Sequence, residues 1–226
     1  MQKRQKRVAI FNNDPFGSAL IRIFLEKFDI GTKLFTSQTP LTEAIFLEEN
    51  FDVALLDLDF DIEGAVPLLE KLRVWSPSLG AVMLTNFPDL RFLGFSIREL
   101  PQGTILVLKR DIVDLNVLLI AIFDSIASVE KKEKTHWISE PTPIGNHPQF
   151  ETICTLSSLQ MDTLRLVAGG LSNSEIAKVR DVSEKSVEHM IGKLAQVLGL
   201  QSNAKQNLRV LLAREFYRCL GVPHLA

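Results

Sequence analysis

Three side chains of complementary chemistry each end a separate apolar run: Asp57 after Val53-Ala-Leu-Leu56, Thr85 after Ala81-Val-Met-Leu84, and Lys109 after Thr104-Ile-Leu-Val-Leu108. A carboxylate, a hydroxyl and an ammonium brought together can handle a phosphoryl group. The aspartate attacks phosphorus, the lysine and hydroxyl bind its oxygens, and a magnesium ion held by further carboxylates offsets the developing charge. Asn12 and Asn13 end a fourth run, Arg7-Val-Ala-Ile-Phe11. An amide can lend a carbonyl oxygen to a metal, but no charge. The bland alternative is a buried Asp57–Lys109 ion pair kept for stability, because removing one partner of such a pair costs about 3–5 kcal/mol.

These residues need a frame that gathers strand ends. Continuous apolar runs bounded by turn-formers read as buried parallel strands. A further strand is predicted over Thr32–Thr36. Helical patterns alternate with the runs. Pro15 opens a helix whose apolar face comprises Ala19, Ile21, Ile23, Phe24 and Phe28, and others span Pro40–Glu49, Glu63–Trp75 and a long stretch from Val113. Five βα units in the first 130 residues predict a flavodoxin-like, doubly wound, five-stranded parallel sheet, each crossover covered by a helix. Function in such sheets gathers at the carboxyl ends of the strands. That places Asn12, Asn13, Asp57, Thr85 and Lys109 together.

The remainder of the chain changes character. Lys131-Lys-Glu-Lys134 and then Pro141, Pro143, Gly145 and Pro148 predict a linker over 131–155. An all-α domain follows over 156–226. Leu159, Leu164 and Val167 are expected on one face of a helix that starts at Ser157 or Ser158 and ends at Gly169-Gly170. Ser172-Asn-Ser-Glu175 is a capping box before a short helix with Ile176 and Ala177. Ser183 caps the next helix, with Val187, Ile191 and Leu194 on one side. Two short helices joined by a tight turn, held between flanking helices, make a helix-turn-helix. Leu208, Leu211, Leu212 and Phe216 form a last apolar stripe, which either closes this small core or pairs with a second copy.

Totals bound the function classes. The chain has 226 residues, a net charge of −2 and 46% apolar residues, which is ordinary for globular protein. Charge is unevenly divided: about −5 over residues 1–130 and about +3 over 156–226, the asymmetry expected of a regulatory domain joined to a DNA-binding one. Cys154 and Cys219 fit neither metal-ligand nor disulfide spacing. The short apolar run after the basic start is no signal peptide, and no run approaches the ~20 residues of a membrane span. The expected setting is the cytoplasm, with no membrane partner.

The first 130 residues resemble the receiver domain of response regulators over roughly 6–128. Phe51-Asp-Val-Ala-Leu-Leu-Asp57-Leu matches the stretch around that family's phosphoacceptor, Leu84-Thr85 its switch hydroxyl, and Leu108-Lys109 its lysine. The resemblance implies Asp57 as phosphoacceptor candidate. It also implies two acidic residues after the first strand, where this chain has Asn12 and Asn13. The aromatic switch is replaced by Leu106 and the proline after the lysine by Arg110. An atypical receiver is expected, with no cofactor and at best a doubtful Mg²⁺ site.

The stretch 156–200 resembles the LuxR/NarL-type DNA-binding domain, through Gly170-Leu-Ser-Asn-Ser-Glu-Ile-Ala177 and Val182-Ser-Glu-Lys-Ser-Val187. It implies double-stranded DNA as partner, a homodimer, and recognition by the helix carrying Lys185, Ser186, Glu188, His189 and Lys193. Two departures stand out: Glu188 and Gly192 replace common lysines. Glutamate can accept from cytosine but repels phosphate. His189 has no second ligand near it and reads as a phosphate contact or plain surface, not a metal site. The expected function is a DNA-binding transcriptional regulator, its receiver-like domain answering to a signalling protein or small molecule. The alternative is a heterodimer partner that no longer reads bases. An enzyme built on Asp57 would need an acid–base partner and a magnesium cage that the sequence does not provide, so none is expected.

Overall fold

A computed structural model describes residues 4–58, 64–139, 150–201 and 206–219. The chain divides into two compact units, Met1–Asn86 with Ile97–Pro141, and Phe87–Ser96 with Thr142–Ala226.

The first unit is a parallel sheet of β1 (Arg7–Phe11), β2 (Gly31–Phe35), β3 (Val53–Asp57), β4 (Gly80–Thr85), β5 (Thr104–Leu108) and β6 (His136–Trp137), in the order β2-β1-β3-β4-β5-β6. Helices α1 (Pro15–Glu26), α2 (Glu43–Glu49), α3 (Ala65–Trp75) and α4 (Asn116–Glu130) connect them. The doubly wound parallel fold is as the sequence indicates. β3, β4 and β5 are buried at every residue, which is why their apolar runs are continuous rather than alternating.

Differences from expectation have local causes. A sixth strand extends the sheet: Ile105 and Leu106 of β5 pair with His136 and Trp137, inside the span expected to be an irregular linker. Phe150–Cys154, also in that span, forms α5. The linker prolines and Gly145 lie outside the described residues. In α1 the buried side chains are Ser18, Ile21 and Leu25, while Phe16 and Ile23 are exposed, as is Phe28, which falls past the helix end. Its inward stripe follows the 18-21-25 spacing rather than the more populous apolar one. The β4–β5 crossover carries no α-helix. Pro88 and Pro101 flank two short 3₁₀ turns, Leu90–Leu93 and Ile97–Glu99, and Gly94 ends the first at φ 91°.

The second unit packs α5, α6 (Ser158–Ala168), α7 (Asn173–Arg180), α8 (Glu184–Val197) and α9 (Leu208–Cys219) around one core that includes Met161, Leu164, Ile176, Val187, Leu194, Leu212 and Phe216. Ser157 and Gln160 form a reciprocal capping box at α6. The expected box at Ser172–Glu175 shows its serine arm, Glu175 N–H donating to Ser172 Oγ at 3.2 Å. Leu159 is exposed, and Met161 and Thr163 take inward places instead. Leu212 and Phe216 are buried in this unit's own core, with Leu208 packed against it, and Leu211 is buried as well. No helix among the described residues is long and apolar enough to cross a membrane.

Candidate functional site

In the first unit, strand register gathers the expected residues. Phe11 pairs with Leu56, Asp57 with Leu84, and Thr85 with Leu108. Asn12, Asp57, Thr85 and Lys109 therefore come off neighbouring strands at the same edge, beside the β1–β3 point where strand order reverses. Asn12, Asp57 and Thr85 are all buried. Lys109 Nζ stands 2.6 Å from Asp57 Oδ1, with a quarter of the lysine side chain exposed. Asp57 and Lys109 both make further interactions.

The residues that would hold a metal are otherwise engaged. Asn12 Oδ1 accepts from Asp14 N–H at 2.7 Å. Asn13 is exposed and turned to the loop after β2, where its Oδ1 accepts from Ser37 N–H at 3.1 Å and is 3.3 Å from Ser37 Oγ. The Asp14 carboxylate caps α1, accepting from Phe16 and Gly17 N–H at 3.0 Å each. A cap of this kind stabilises a helix start by about 1 kcal/mol, which holds Asp14 away from the strand ends. No cluster of three or more His, Cys, Asp or Glu side chains able to bind a metal occurs among the described residues. The described donors do not fit Mg²⁺: Asn12 and Asn13 bring no charge to offset it, and the Asp14 carboxylate is taken up by the start of α1.

In the second unit, α7 and α8 form the helix-turn-helix. Asp181, at φ 51°, caps α7 in the left-handed conformation, and Ser183 Oγ accepts from Ser186 N–H at 3.1 Å to start α8. Two arginines set the frame. Arg180 hydrogen-bonds Thr163 Oγ1 of α6, and Arg209 of α9 holds the approach to α7 through Leu171 O and Asn173 Oδ1.

Helix α8 is cleanly two-sided. Val187, Ile191, Leu194 and Ala195 are buried, whereas Lys185, Ser186, Glu188, His189, Gly192 and Lys193 are exposed. At 3.6 residues per turn, Lys185, His189 and Lys193 lie about the centre of the open face with Gly192 beside them, and Glu188 lies at its flank next to buried Ala195. Ser186 is less available, its hydroxyl lying 2.8 Å from Ser183 Oγ within the cap. Gln196, not singled out from the sequence, is exposed at the same centre, eleven residues after Lys185. Helical spacing alone could have found it. A Cβ on Gly192 would meet nothing within 4 Å, so no packing demand explains the glycine.

Both thiols are poor nucleophiles at neutral pH. Burial, with the nearby Asp89 charge, pushes Cys154 up to about 11 against the opposing pull of Arg91; burial does the same to Cys219, up to about 12.

Residues 154–207 match the family described as bacterial regulatory proteins, luxR family. The chain is 28% identical over 160 residues to the oxygen regulatory protein NreC of Staphylococcus aureus (strain JH9), covering 69% of this chain and 73% of that protein. Among solved structures it is similar to RcsB from Salmonella enterica serovar Typhimurium bound to promoter rprA, at 21% identity, TM-score 0.49, and coverage of 94% and 98% of the two chains. Full-length FixJ from B. japonicum matches at 16% identity and TM-score 0.41, covering 98% and 100%. The helices within 154–207 match a luxR-type regulatory domain, and the unit that precedes them is a doubly wound parallel α/β fold.

Proposed function

We propose that the protein is a sequence-specific transcriptional regulator that binds double-stranded DNA through α8 as a homodimer, and that its receiver-like domain acts without magnesium-dependent phosphorylation. The observation that carries the DNA reading is the open face of α8, where polar side chains surround Lys185 while every apolar residue of the core spacing points inward. Side chains near the start of such a helix reach base edges, and cations at its flank meet phosphates. The dimer contact lies on the outward side of α9, at Val210, Arg214 and Tyr217, because the inward stripe is consumed by the domain's own core.

The receiver reading rests on the engaged oxygens of Asn12, Asn13 and Asp14, which leave Asp57 facing Lys109 without a metal cradle among the described residues. A signalling protein or small molecule would then supply the input. Retention of genomic fragments by the purified full chain tests the function. A shared, roughly two-fold-symmetric motif is expected. Uniform, purely salt-driven retention would overturn it and leave the second reading, a heterodimer partner that no longer reads bases, which the exposed Glu188 and Gly192 favour.

A further inference from the structure

The second unit is not a contiguous stretch of chain. The backbone leaves the parallel sheet after Asn86, contributes Phe87–Ser96 to the helical unit, and rejoins the sheet at Ile97. Phe92 is 3% exposed inside the helical core, its ring 5.3 Å from that of Phe216 on α9, and Phe87 packs against the same cluster. Arg91 donates from Nη1 to Leu156 O at 2.5 Å and from Nη2 to Cys154 O at 2.8 Å, the carbonyls at the turn between α5 and α6. Asp89 fixes that guanidinium, accepting at 2.6 and 2.9 Å on Oδ2, and also caps the 3₁₀ turn by accepting from Arg91 N–H at 3.0 Å. Gly94 lets the backbone turn back at φ 91° close to the Arg165 side chain, where a Cβ would come within 2.9 Å of Cζ.

This is an anchored element: one buried aromatic, one arginine satisfying two helix-end carbonyls, and a carboxylate that orients the arginine. We propose that Phe87–Ser96 is a strap whose seating controls the DNA-binding unit. Seated, it completes the core that α6 and α9 share, and α6 in turn supports α8. Withdrawn, it leaves Phe216 uncovered and two helix-end carbonyls unsatisfied, and the unit loosens. The DNA consequence rests on the proposed function; the loosening does not.

Amide hydrogen exchange on the full chain separates the two. Phe92→Ala and Arg91→Ala should each speed exchange in α6 and α9 by at least about tenfold while β1, β3 and β4 keep their protection. DNA affinity should fall severalfold in the same variants. Faster exchange with unchanged DNA affinity would retain the anchoring and overturn its control of DNA binding, whereas no specific DNA binding by the wild type would overturn the DNA reading alone. Unchanged exchange in α6 and α9 would overturn the strap. If Phe92→Ala loses protection throughout the chain, Phe92→Leu, which keeps most of the apolar fill, should give a smaller increase confined to α6 and α9. An increase confined to 87–96 in that variant would equally overturn it.

Discussion

Lys109 Nζ meets Asp57 Oδ1 at 2.6 Å where β5 and β3 end, with the carboxylate almost wholly buried. A charge in that position must be paired, because desolvation is not recovered otherwise. Lys109→Ala should therefore lower stability by about 3 kcal/mol, the lower part of the range for a buried pair because a quarter of the lysine is exposed. The double variant Asp57→Asn/Lys109→Met should recover much of the loss. Urea unfolding measures both; additive losses would show that the two side chains are not a pair.

The same pocket is expected to resist phosphorylation. Incubation with acetyl phosphate and Mg²⁺ should leave the intact mass unchanged. A stoichiometric gain of about 80 Da, absent from Asp57→Asn, would show that the pocket recruits a metal despite the engaged amides at Asn12 and Asn13.

Much of this was legible in the sequence, for physical reasons. Strands buried on both faces must be apolar throughout, so β3, β4 and β5 are visible within a residue, and their ends carry Asp57, Thr85 and Lys109. Serine caps and buried spacings likewise expose α6, α7 and α8. The illegible parts depend on partners distant in the chain. Leu90-Arg91-Phe92-Leu93 has no helical period, and its place in a core built by residues beyond 150 is set by tertiary contact alone. The two-residue β6 is too short to show a period. Asn13 reads as a pocket residue from its position, but its side chain follows a hydrogen bond from Ser37, 24 residues on.

Asp52 offers a pH signature at the other end of the sheet. Burial raises its pKa, but hydrogen bonds from Lys6, the Arg7 backbone and Arg4 outweigh that and hold it below the ordinary carboxylate value. A lowered folded-state pKa gives stability that is present above the unfolded value of about 3.9 and lost as pH falls through the folded one. Asp52→Asn should cost about 1–2 kcal/mol at pH 7, with the difference from the wild type shrinking below about pH 4. A difference independent of pH down to 2 would mean that the ion pairs contribute nothing.

Gly192 and Glu188 tune α8 in separable ways. Gly192→Ala should stabilise the domain by about 1 kcal/mol, since the new methyl enters open space and a helical glycine is removed. Glu188→Lys should leave stability nearly unchanged and raise DNA affinity severalfold, steepening its salt dependence by roughly 0.9 in slope for each added phosphate contact. Unfolding curves and fluorescence anisotropy distinguish the two effects.

Arg209→Ala should loosen the helix-turn-helix from outside the reading face. Losing its bonds to Leu171 O and Asn173 Oδ1 should cost about 1–3 kcal/mol and weaken DNA binding, although those bonds run to the approach to α7 and not to α8. Unchanged thermal unfolding would contradict the frame assigned to it.

The most direct test of the account is the salt dependence of binding to a DNA fragment recovered from the genomic pool, measured for the wild type and Lys185→Ala. The open face of α8 predicts steeply salt-dependent, sequence-specific binding by the wild type, and in the variant at least about a tenfold weaker affinity. Equal affinity and equal slope for the two proteins, or binding indifferent to sequence, would contradict it.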